Sequence, residues 1–201
     1  MSFPQWRQWA GDTAVILASG PSMTPEDAAF VRGKARVITV NTTFRLAQWA
    51  DVHYSSDHDW WSAHWEEMDQ VCQGQRWTAH PTFTRPGLMR CPWDKNARGL
   101  SRRVGVIAWG GNSGYCAVGL AHQFGAAKIV LLGFDMCDPD GTGHWHGQHP
   151  AHIRKDFNWP MWHARFAELA ADCRRLGIRV INSSRRTALT CFDTRALERT
   201  L

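Results

Sequence analysis

The sequence predicts a single Rossmann-like α/β domain with a mainly parallel sheet flanked by helices. Three observations carry this. Short runs rich in Val and Ile alternate with helical patterns, each run closes on small or polar residues, and 201 residues make one core the default. The first strand is predicted over Thr13–Ala18, before the turn Ser19-Gly20-Pro21-Ser22. Thr24-Pro25-Glu26-Asp27 then supplies an N-cap, a first-turn proline and an acid at the third helical position, so a helix begins there. Strands follow over Arg36–Val40 and Val52–Ser55. Thr82–Arg103, with Pro86, Gly87, Pro92, Gly99 and several basic residues, reads as a long irregular excursion and a candidate lid. Beyond it come a strand over Val104–Ala108, a glycine turn at Gly110–Gly114, and a nearly all-apolar helix from Tyr115 to Phe124 that stops at Gly125. A strand over Lys128–Gly133 is next. The longest helix is predicted over Pro160–Leu176, where Trp162, Phe166, Leu169, Cys173 and Leu176 recur at helical spacing before Gly177, and Arg179–Asn182 closes the series.

Composition narrows the class. Hydrophobic residues at 44% and charged residues at 20% suit a globular protein, and no run approaches the length needed to span a bilayer. The opening MSFPQWRQWAGD has one basic residue and no apolar segment, so it does not read as a signal peptide and a cytoplasmic location is expected. Six cysteines are scattered without C-x-x-C spacing, as structural thiols are. The formal charge of +5 favours an anionic partner in the broad sense. Small basic clusters, such as Arg102-Arg103, Arg174-Arg175 and Arg185-Arg186, are scattered along the chain, a spread that disfavours nucleic acid and favours a small anionic ligand. Twelve tryptophans, with Trp60, Trp61 and Trp65 close together and Trp159 near Trp162, suit a core, a stacking surface for a base, or an interface with a second copy of the chain.

Two turns have phosphate-binding character. Ala18 to Ser22 is a small-residue turn between strand and helix, where backbone amides approach an anion closely, but it lacks the G-x-G-x-x-G fingerprint and the Walker lysine. Glu26 and Asp27 in the following first turn would repel a phosphate, so Ser19, Gly20, Pro21 and Ser22 are equally readable as ligand contacts or as a tight turn. Gly110-Gly111-Asn112-Ser113-Gly114 is the better candidate. Its helix opens without an acid, its glycines permit close approach, and Asn112 and Ser113 add donors. Asn41, Asp57 and Asp135 each follow a predicted strand, so a parallel sheet brings them to the carboxyl edge where ligands bind.

His144-Trp145-His146-Gly147-Gln148-His149-Pro150-Ala151-His152 follows Asp135, Asp138 and Asp140. Histidines at this density suit a general acid or base over the strand ends, a metal site, or exposed polar filler, and Asp138-Pro139-Asp140-Gly141 would suit magnesium held through a substrate phosphate.

Taken in order, LASGPSM (17–23), VITVNT (37–42), the Asp57 segment, GNSGYCAVGLAHQFGAAKIVLLGFDM (111–136) and INSSRRTAL (181–189) resemble a superfamily containing bacterial sialyltransferases and MptE-like hydroxymethylpterin diphosphokinases. Small phage-encoded proteins look similar. The resemblance spans most of the chain outside 82–103. It implies a Rossmann-like fold with the ligand across the strand ends, a CMP-sugar held by positions matching Gly20, Pro21, Ser22, Asn41, Ser113 and Gly114, and a base matching His149 or His146. The sialyltransferases place tyrosines around the phosphate, whereas this chain has only Tyr54 and Tyr115, neither in the histidine loop. The diphosphokinases use magnesium and a purine nucleotide, for which Asp57 and Asp135 are the matching anchors.

The leading expectation is a glycosyltransferase-like transferase acting on a nucleotide-activated donor. Its phosphate would lie against Gly111, Asn112, Ser113 and Gly114 and the first turn, with a histidine base and no required cofactor. A magnesium-dependent diphosphokinase is the second expectation, and a non-catalytic nucleotide-binding or phage assembly protein the third.

Overall fold

The computed structural model describes residues 6–153 and 156–201. Among the described residues, ten strands and four α-helices run β1 (Thr13–Leu17), α1 (Pro25–Val31), β2 (Arg36–Val40), β3 (Val52–Ser55), α2 (His58–Val71), β4 (Gln75–Thr78), β5 (Leu88–Arg90), β6 (Trp93–Asp94), β7 (Ile107–Ala108), α3 (Ser113–Gln123), β8 (Lys128–Leu132), α4 (Trp159–Arg175), β9 (Arg179–Asn182) and β10 (Asp193–Thr194). Eight of these strands form one sheet in the order β10-β9-β8-β1-β2-β3-β4-β5, and every ladder in it is parallel. The predicted α/β class and parallel sheet are therefore observed. The central strands are buried almost throughout, because helices cover both faces of a parallel sheet.

Residue alternation along β1 divides the core. Ala14 and Ile16 face a cluster with α3 and Phe166, Leu169 and Cys173 of α4, while Val15 and Leu17 face α1 through Ala28 and Val31. A third cluster joins Trp60, Trp61, Trp65 and Met68 of α2 to Phe44, Phe83 and Ile153.

Two expectations are corrected. The strand predicted over Val104–Ala108 is reduced to Ile107–Ala108 and pairs with Trp93–Asp94 in a separate ladder. Gly105 in the left-handed region (φ 76°) and the turn bond from Val106 N–H to the Arg103 carbonyl break its first half. The segment 82–103, expected to be irregular, supplies β5, the edge strand beside β4, and β6, and none of its residues lines the cavity at the sheet's carboxyl ends.

Candidate functional site

The chain lays β1 to β5 outward in one direction, then returns to lay β8 to β10 in the other. The reversal falls between β1 and β8, whose carboxyl ends part there to leave a crevice. A cavity of about 270 Å³ occupies it. Loops after β1, β2, β3, β7 and β8 all reach it.

Of the residues expected at the site, Ser19, Gly20, Pro21, Asn41, Asp57, Gly111, Asn112, Ser113, Gly114, Asp135 and His149 line this cavity; Ser22 and His146 do not. Ser22 stands behind Asp135: its backbone N–H (2.9 Å) and its hydroxyl (2.7 Å) both donate to that carboxylate. Asp135 is only 1% exposed, and burial pushes its carboxyl above the ordinary carboxylate range against the pull of the two Ser22 bonds. Gly20 donates its N–H to the Gly133 carbonyl, and a Cβ there would collide with that carbonyl and with Asp135. The Ser19 hydroxyl shares a hydrogen bond with Thr43 Oγ1 at 2.9 Å. The first turn is thus closed on the protein's own groups.

The second turn differs. Gly111 takes φ 85°, and Asn112 caps α3 by accepting the Tyr115 N–H on Oδ1 at 2.9 Å. That bond fixes the carboxamide, and Asn112 Nδ2 is left buried without a partner among the described residues. The amides of Ser113 and Gly114, in the first helical turn, have no intrahelical acceptor by helix geometry. No acid stands in that turn, so the helix end keeps its partial positive charge. The Ser113 hydroxyl, expected as a ligand donor, bonds Ser56 instead, accepting from its N–H at 3.1 Å and pairing with its hydroxyl at 2.7 Å. Asn41, at the end of β2, has φ 51° and also holds a buried, unpartnered oxygen.

The cavity's cover comes from the loop between β8 and α4. Trp145 pins it, donating its N–H to the Ser19 carbonyl (3.1 Å) and its indole N–H to Thr43 Oγ1 (3.2 Å). His144, His146 and His149 form a triangle with ring centres 5.1, 4.7 and 4.9 Å apart. Burial, reinforced by the neighbouring rings, pushes His146 down to about 3 and His149 down to about 4. Burial lowers His144 as well. All three are neutral near pH 7, and of them His144 and His149 face the cavity. Among the described residues, no three His, Cys, Asp or Glu side chains are grouped to hold a metal ion. Asp138 and Asp140 serve the loop itself: Asp138 accepts the Gly143 N–H, and Asp140 pairs with Arg186 at 2.7 Å.

Sequence reasoning named the histidine run without singling out His144, and offered Trp60, Trp159 and Trp162 as one reading of a stacking surface without joining them to Trp109 and Phe157. Trp60, Trp109, Phe157, Trp159 and Trp162 line the cavity, and Trp162 donates its indole N–H to the Gly111 carbonyl at 3.1 Å, joining wall to turn. The tryptophan count was the available signal; which of the twelve meet was not readable along the chain.

Comparison with protein-family models, curated proteins and solved structures gives no match to this chain. Its function is therefore read from the crevice. Among the described residues, no helix is long and apolar enough to cross a membrane.

Proposed function

We propose that the chain is a glycosyltransferase-like transferase that takes a nucleotide-activated donor in the crevice between β1 and β8. One observation carries the reading: an open helix N-terminus with an unpartnered Asn112 amide, an aromatic wall and a neutral histidine meet in one cavity at the switch point. The α3 amides and Asn112 Nδ2 bind the donor phosphate and take up its charge as the bond to the transferred group breaks. The aromatic wall supplies faces on which a nucleobase stacks. His149 accepts the proton of the attacking hydroxyl. Its pKa, pushed down to about 4 by burial, leaves it unprotonated at neutral pH but makes it a weak base, and it takes the proton only as the new bond forms.

A second reading, magnesium-dependent diphosphoryl transfer, has its own support. Asp57, Asp59, Asp135 and Asp156 line the cavity, and the described lining includes no Lys or Arg. Magnesium commonly needs only one or two carboxylates when substrate phosphates supply the other ligands, which suits residues that form no metal cage themselves. Asp57 and Asp135 would hold such an ion, which would offset phosphate charge.

Heat-denaturing the purified protein and identifying released nucleotides by mass spectrometry tests both readings, together with melting curves in CMP, UDP, GDP and ATP species with magnesium or a chelator. A metal-indifferent shift by one nucleotide and turnover of its sugar conjugate are expected. Strict magnesium dependence selects the second reading, and a nucleotide bound but never consumed removes both. His149→Ala should lower turnover about a hundredfold while donor affinity holds.

A further inference from the structure

The chain's entire excess of positive charge lies in one segment. Residues 82–103 carry six basic side chains, Arg85, Arg90, Lys95, Arg98, Arg102 and Arg103, against the single acid Asp94; the other 179 residues carry 17 of each sign. The spread of basic residues along the sequence hides this, because elsewhere acids accompany them. Arg36 is paired with Asp12 and Asp51, Arg45 with Glu67 and Arg185 with Asp27. All six basic residues of the segment are exposed, and among the described residues only Arg103 has a carboxylate partner, Asp94 at 3.8 Å. Arg85, Arg90 and Arg98 instead donate to nearby backbone carbonyls, of Thr84, Phe83 and Lys95, which steadies the guanidinium groups and leaves their charge uncompensated.

The same segment presents a half-buried Trp93, whose ring centre lies 4.4 Å from that of Trp109 on the cavity wall. We propose that this surface binds single-stranded nucleic acid, with arginines on successive phosphates and a base against Trp93. Five of the six cations are arginines, whose planar fork matches phosphate oxygens, and an indole face accepts any base. A duplex groove calls for an inserted helix or ribbon, whereas this segment offers only the short strands β5 and β6. A membrane surface calls for apolar side chains beside the cations, and Val104 is the one large, strongly exposed hydrophobic residue adjoining the segment. The inference does not depend on what the crevice binds.

Fluorescence anisotropy of a labelled oligo(dT) about 20 nucleotides long, titrated with the full chain from about 50 to 200 mM NaCl, tests it. Saturable binding is expected, weakening with salt at a slope of about −0.7 per phosphate engaged, with quenching of tryptophan emission. R98E/R102E/R103E should weaken binding at least about tenfold, whereas R32E/K34E/R199E, with the same charge change elsewhere, should weaken it no more than about twofold. Melting curves confirm that both variants are folded, and Trp93→Leu should abolish the quench. Equal losses in the two triple variants overturn the proposal. So do absent binding at the lowest salt, a quench that survives Trp93→Leu, and retention on heparin or phosphatidylserine vesicles without retention on the oligonucleotide.

Discussion

The two glycine turns look alike in sequence and do opposite work. Each follows a strand and opens a helix, yet the turn at Ser19–Ser22 spends its polar groups on Asp135, Thr43 and Gly133, while the turn at Gly110–Gly114 leaves the buried Asn112 amide without a partner among the described residues. The helices agree with this division. α1 has seven residues, with Glu26 and Asp27 in its first turn and Arg185 clamped on Asp27, whereas α3 has eleven and no first-turn acid. Glycine content therefore marks close approach without saying to what. The first turn is an anchor for the crevice, and the second is the turn that keeps an unpartnered amide and an acid-free helix end beside it.

The largest expected effect separates the two by stability. Gly20→Ala drives a Cβ into the Gly133 carbonyl and a buried carboxylate, neither of which can retreat, and should cost about 3 kcal/mol, or roughly 10 °C in melting temperature. Gly111→Ala meets chiefly the mobile end of Met161, so the left-handed backbone dominates and the cost is about 1 kcal/mol. Thermal melts of the two variants check this, and equal losses would erase the distinction.

Binding should separate them the other way. Asn112→Asp keeps the capping oxygen, so α3 persists, but it replaces the unpartnered donor with negative charge. Affinity for the nucleotide found by mass spectrometry should fall at least about thirtyfold by calorimetry, the worth of one charge-assisted hydrogen bond. Ser22→Ala should cost about 1.5 kcal/mol of stability, since Asp135 loses one of two donors, and shift affinity by less than about threefold. A binding defect in Ser22→Ala larger than that in Asn112→Asp would reverse the roles.

This contrast shows what was legible in the sequence. Val and Ile runs and helix caps located the core strands and helices α1, α3 and α4, because those signals are local. Thr24 caps α1 as its residue type suggests, accepting the N–H of Asp27, and Asn158, not singled out in the sequence, caps α4 by accepting the N–H of Met161. Helix α2 was not assigned, although Trp60, Trp61, His64, Trp65 and Met68 are the buried face of one helix; crowded aromatics read as core, stacking surface or interface as readily. β4 and β5 are short strands at one side of the sheet, with β5 at its edge, and β5 exists only through its parallel pairing with β4. The strand-end rule brought eleven expected residues to one cavity, since a parallel sheet fixes where its carboxyl ends go. Which hydroxyls remain for a ligand depends on partners distant in sequence, such as Ser56 for Ser113, and no local pattern carries that.

The smallest effect concerns the histidine loop, which is tied through Trp145 to the turn at Ser19–Ser22 and to Thr43. His146 and His149 titrate near 3 and 4 in the fold, against 6.5 for an ordinary histidine. Between those values the unfolded chain binds more protons than the folded one, so their contribution to stability is complete above about pH 6.5 and drains away as pH falls toward 4. His53, also pushed down to about 4, adds to the slope, while Asp135, whose pKa is raised, opposes it from about 3.8 upward. Urea midpoints measured from pH 7 to pH 4.5 should therefore decline more gently in His146→Gln/His149→Asn than in the parent chain, with His53 maintaining a residual slope. If the loop belongs to the anchor, adding saturating nucleotide raises both sets of midpoints and leaves the difference between their slopes unchanged. A slope difference that vanishes with nucleotide would place the histidines on the side of the second turn.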